Sequence, residues 1–169
     1  MADGHKKNES ERLIATNPIA HSNYSIQEVV EAGLVLTGTE VKSLRLQSPN
    51  LRDSFVEVRR NSSGMEAWLL NTHIGPYTHG NIWNHDPMRK RKLLLHKHEI
   101  EQLFGAVTLK GLSIIPTKMY FKKGIAKIEL GLGKGKKKHD KRDTLKEKSA
   151  EREMEQAKRA GSKNRGYED

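Results

Sequence analysis

The chain has 169 residues, with 31 Lys and Arg against 21 Asp and Glu, a formal net charge of +10 and 34% apolar residues. Its lack of cysteine excludes a disulfide framework, a thiol nucleophile and a thiolate zinc site. No apolar run approaches the ~18 residues that span a bilayer and no hydrophobic leader opens the chain, so a soluble cytoplasmic protein is expected.

Nearly all apolar side chains lie between residues 24 and 132, which points to one folded body, residues 21–133, preceded by a flexible arm, residues 1–20. Residues 24–36 are rich in β-branched and aromatic types and predict a long strand with a bend or bulge at Ala32-Gly33. Thr37 and Glu40 stand at capping-box spacing and start a short helix that stops near Ser48-Pro49-Asn50. Alternation in 54–60 and again from Met65 to Leu69, around Asn61 to Gly64, predicts a hairpin. Ile100, Leu103, Phe104 and Val107 give a helix over 96–107, and 112–121 with 125–132 form a second hairpin through Lys122-Lys123-Gly124. The glycines at 131, 133 and 135 read as a hinge into the tail, since they lack the spacing of a phosphate loop. This order predicts a mainly β protein: a small closed antiparallel barrel of oligonucleotide-binding type with two or three flanking helices.

Between Thr72 and Met88 the chain has no periodicity but gathers three His with aromatic and large apolar side chains, and a loop of that length in a compact domain is usually functional. Tyr77 and Trp83 can stack on bases, Asn81 and Asn84 can bond their edges, and Arg89, Lys90, Arg91 and Lys92 can meet phosphates. His73, His79 and His85 raise the alternative of a metal-assisted RNA-processing enzyme, against which stand a spacing unlike compact metal motifs and a missing carboxylate cluster. No metal or other cofactor is expected.

Residues 1–133 carry 18 cations and 13 acids and residues 134–169 carry 13 and 8, so the short tail holds half the excess charge. Its first fifteen residues, with eight cations, suit a phosphate backbone and have almost no apolar surface to bury, so the tail is expected to be disordered when free and conditionally helical over 144–160.

The segments EAGLVLTGTEVKSLR (31–45), NTHIGPY (71–77), GNIWNHDPMRKRKLLLH (80–96) and GKGKKKHDKRDTLKE (133–147) resemble the bacterial small protein B, or SsrA-binding protein, family over residues 22–153. The resemblance implies a barrel that grips the tRNA-like domain of transfer-messenger RNA, a monomeric adaptor without catalysis, and ribosome rescue by trans-translation. It links Glu31 and Leu94 to the RNA grip, and Lys42, Arg45 and Lys127 complete the candidate RNA-binding set. It also implies that the tail probes the vacant mRNA channel and decoding centre of the small ribosomal subunit, with His139, Asp140, Lys141 and Arg142 in the motif and Lys134, Lys136, Lys137 and Lys138 leading into it.

Overall fold

The computed structural model of the protein describes residues 11–163. The chain runs β1 (Glu11–Thr16), α1 (Ala20–Asn23), β2 (Tyr24–Leu34), α2 (Gly38–Leu46), β3 (Phe55–Asn61), β4 (Gly64–Leu70), a single 3-10 turn (Asn81–Trp83), β5 (Arg91–Leu94), α3 (Lys97–Lys110), β6 (Ser113–Lys122), β7 (Ile125–Gly135) and α4 (Lys138–Lys163). The first unit ends at Gly135 and the second begins at Lys136.

The body is one seven-stranded antiparallel sheet in the order β1-β6-β7-β2-β5-β4-β3. The cylinder expected from the sequence is not closed by hydrogen bonds. β3 curls back to lie against β6, yet among the described residues no ladder joins them, and the edge of β6 from Pro116 to Lys122 is taken by the N-terminal segment instead. β1 pairs with this edge over Lys118 to Lys122, and Asn17 continues the line, its backbone N–H donating to the Thr117 carbonyl at 2.7 Å and its side-chain amide to the Pro116 carbonyl at 3.0 Å. The expected N-terminal arm is corrected by the same contacts: residues 11–16 are a strand, and residues 1–10 lie outside the described residues.

β2 is the spine of the sheet, pairing with β7 from Tyr24↔Gly135 to Gly33↔Lys127 and then with β5 at Gly33↔Leu94 and Leu34↔Leu93. Its register shift falls between Ile26 and Glu28, not at Ala32-Gly33, where the strand changes partner instead. The glycines read as a hinge lie inside β7. A Cβ on Gly133 would stand 2.6 Å from the Ser25 carbonyl oxygen, so the missing side chain lets β2 approach beside its bulge. The core, including Leu51, Leu69, Ile74, Leu93, Leu103, Ile114, Met119, Ile128 and Leu130, is drawn from the inward face of the sheet, from α3 and from the segment around Leu51. Burying each such side chain stabilises the fold by about 1.5–3 kcal/mol.

In the second unit, α4 takes in the cationic block that precedes the expected helix. Lys137 N–H donates to Asp140 Oδ2 at 3.2 Å, the carboxylate reaching back from the first turn to close the helix start. Leu145 and Met154 are exposed on this helix.

Candidate RNA-binding surface

The aperiodic segment from Thr72 to Lys90 is laid along α2 by polar contacts. Thr37 caps α2, accepting from Glu40 N–H at 3.4 Å, and Glu40 Oε2 accepts from Thr37 N–H at 2.8 Å. Further along the helix, Thr39 Oγ1 meets His85 Nδ1 at 3.0 Å, Ser43 Oγ donates to the Gly75 carbonyl at 2.6 Å, and Gln47 Nε2 donates to the Pro76 carbonyl at 3.0 Å. Gly75 permits this approach, since a Cβ there would stand 2.7 Å from Gln47 Nε2. Lys42 carries its ammonium over the Tyr77 ring, 5.5 Å from the centroid. Thr39, Ser43 and Gln47 recur every fourth residue, a polar stripe on one helical face that the sequence reading passed over and that identifies the docking face for the loop.

The basic quartet divides by the alternation of β5. Arg91 and Leu93 point inward; Lys90 is exposed, and Lys92 donates to Glu66 Oε1 at 2.5 Å. Arg91, expected to meet phosphate, has 0% exposure and cannot do so. Its guanidinium donates through Nε to Glu40 Oε1 at 2.8 Å, through Nη1 to the Thr72 and Arg89 carbonyls at 2.7 and 2.8 Å, and through Nη2 to the Pro87 carbonyl at 3.1 Å. Arg89 is likewise engaged, its Nη2 donating to Glu40 Oε2 at 2.6 Å and to the Val35 carbonyl at 3.1 Å. Burial of the Glu40 carboxyl pushes its pKa up, but the bonds from Arg89 and Thr37 and the charge of Arg91 outweigh that and hold it below its ordinary value. Burial draws Arg91 downward while Glu40 opposes this, and a guanidinium keeps its proton throughout.

Asn84 is also used internally rather than offered to RNA: Oδ1 accepts from Tyr77 N–H at 3.1 Å and Nδ2 donates to the Tyr77 carbonyl at 2.6 Å, closing the loop on itself. His85 Nε2 lies 3.0 Å from the Ile74 carbonyl, so both its ring nitrogens are engaged in holding the loop. Among the described residues no three His, Asp or Glu side chains gather as a metal site. The anchors leave Ile82 at 87% and Trp83 at 84% exposure on the 3-10 turn, beside exposed Asn81, whose φ of 48° is one that asparagine tolerates. Arg45 is set apart from Tyr77, its guanidinium over the Phe121 ring at 5.9 Å.

A second cluster forms across β2, β5, β6 and β7. Glu31 Oε2 accepts from Tyr120 Oη at 2.5 Å and from Lys122 Nζ at 2.9 Å, and Lys127 Nζ stands 4.0 Å from Oε1. The Tyr120 hydroxyl, then Lys122, holds the Glu31 carboxyl below its ordinary value, while burial and Glu31 push the Tyr120 phenol upward. Glu31, Lys127, Leu94 and His96 line a cleft of about 440 Å³, with Leu94 55% exposed. Tyr120 and Lys122 were not anticipated, since only pairing across non-adjacent strands brings them to Glu31. Lys134 lies at the end of β7 in the first unit, and Lys136, Lys137, Asp140 and Arg142 belong to the second, around the start of α4. The side chains of Lys138, His139 and Lys141 lie outside the described residues.

These features define a small β-sheet protein with an exposed aromatic loop splinted by a helix and a cationic helix as a separate unit. Residues 14–160 match the family described as "SmpB protein". The chain is 56% identical over 153 residues to the SsrA-binding protein of Geobacter metallireducens, covering 90% of this chain and 97% of that one. It is 53% identical over 146 residues to the SsrA-binding protein of Anoxybacillus flavithermus, covering 86% and 92%. A solved structure described as "tmRNA-SmpB: a journey to the center of the bacterial ribosome" superposes with a TM-score of 0.61 at 44% identity, over 78% of this chain and 93% of that chain. The chain belongs to the SmpB family.

Proposed function

We propose that this protein is an RNA-binding adaptor without chemistry of its own, which binds the tRNA-like domain of transfer-messenger RNA and delivers it to stalled ribosomes for trans-translation. Membership of the SmpB family, relatives named SsrA-binding protein and the likeness to a tmRNA-SmpB structure support this reading. The structural observation that carries it is the exposed Ile82-Trp83 pair on a loop whose rigidity comes from polar bonds elsewhere, so that the indole has no packing role. Trp83 and Tyr77 are its stacking groups, Lys42, Lys90 and Lys92 its phosphate contacts, and the Glu31, Leu94 and Lys127 cleft a second point of grip. The curl of β3 onto β6 supports reading the body as a variant of the oligonucleotide-binding barrel. The tail, from Lys134 through Arg142, binds ribosomal RNA in the mRNA channel and decoding centre. Sequencing of RNA crosslinked to the protein in cells tests the reading: one dominant tRNA-like RNA is expected, and a broad spectrum of messages overturns it.

A further inference from the structure

We propose that Glu40 and Arg91 are positioning residues for RNA binding: without touching RNA, they lock the loop bearing Tyr77 and Trp83 in its binding geometry. This deepens the function proposed above and rests on it. Arg91 holds the carbonyls of Thr72, at the start of the loop, and of Pro87 and Arg89, at its end, and so fastens both ends with one planar group. Glu40 orients that guanidinium and, in the same carboxylate, closes the first turn of α2, the helix whose Lys42 lies over Tyr77. Helix start, loop ends and stacking face are therefore set by a single buried ion pair. Lysine cannot replace Arg91, because an ammonium keeps the charge but loses the fork that spans three carbonyls.

The test compares Glu40→Gln and Arg91→Lys with the parent protein on a transcript of the transfer-messenger RNA tRNA-like domain, reading amide exchange and the salt dependence of affinity. The expected result is at least tenfold faster exchange at the bonded amides of Ile74, Tyr77, Gly80 and Trp83, with a smaller factor at β6 and β7, which lose only the overall stability that the ion pair contributes. Affinity should fall at least tenfold at an unchanged slope of log K against log salt, since no phosphate contact is lost. Unchanged loop exchange, unchanged affinity or a shallower slope overturns the proposal. If either variant accelerates β6–β7 exchange as much as loop exchange, Glu40→Asp, which keeps both charges and shortens the carboxylate's reach to Arg91 and Thr37, decides by the same exchange and affinity criteria. Trp83→Ala serves as the separate control: parental affinity there would refute the loop as an RNA contact, while the exchange measurement would still judge the ion pair as its lock.

Discussion

At the scale of single residues, like charges in one short run have different work, and the measurements that separate them differ accordingly. Lys90 is exposed at the loop end, whereas Arg91 beside it is enclosed. Lys90→Ala is expected to make the salt dependence of RNA binding shallower by about 0.7–0.9 log units, the signature of one lost phosphate contact, with urea stability within about 0.5 kcal/mol of the parent. A weaker complex at constant slope would remove Lys90 from the phosphate set. Glu40 gives a prediction in pH. Its carboxyl titrates below the ordinary value of 4.5 in the folded protein, so the unfolded chain binds the proton more readily. The stability it contributes is therefore complete above pH 4.5 and drains away as pH falls from there toward the folded-state value. Glu40→Gln is expected to lower the urea midpoint at pH 7 and to make its decline between pH 5 and pH 3 shallower. Glu31 and Glu129, also held below their ordinary values, leave a residual slope. A variant with the parental acid profile would show that Glu40 titrates normally.

At the scale of elements, those set by local chemistry were legible in the sequence and those set by distant partners were not. Thr37 and Glu40 announced α2 by their spacing, and both bonds of the capping box are formed. The turn at Lys123-Gly124 closes its hairpin with φ of 51° and 78°, angles that glycine adopts freely and lysine seldom does, so Gly124 is the residue that made the turn legible. β1 was missed because its apolar residues, Leu13 to Ala15, are consecutive and show no alternation; it is a strand because the edge of β6 awaits a partner more than a hundred residues later. Arg91 was misplaced because four cations in a row suppress the alternation that would have paired it inward with Leu93, and because Glu40 is not its neighbour in sequence. The sequence left the start of α4 open, because the helix formers of 144–160 carry no cap of their own; Asp140 receives the Lys137 amide at that start. Cations crowd that end, where the helix dipole disfavours them, so this carboxylate has a strong local influence. In a peptide of residues 134–160, Asp140→Ala is expected to lower helix content measured by circular dichroism at low ionic strength. Unchanged ellipticity would refute a helix-starting role.

At the scale of the molecule, the division after Gly135 separates a body that contains the whole sheet from a unit built on one helix. A protein ending at Gly135 is expected to unfold cooperatively, to bind the tRNA-like RNA within tenfold of the full chain, about 1.4 kcal/mol, and to fail in peptidyl transfer on ribosomes with an empty mRNA channel. A larger loss of affinity would place part of the grip in the tail. The pairing that completes the sheet also governs when the protein can come into being. Tyr24 meets Gly135 and Glu11 meets Lys122, so the early strands find their neighbours only after more than a hundred further residues have been made. Until β6 and β7 have been made, β2 has a bare edge on the side β7 will fill, and the emerging chain is a slow-folding substrate for chaperones and proteases. A copy whose own translation halts before Lys122 cannot reach the native sheet at all, which makes completion of its message a condition of its survival.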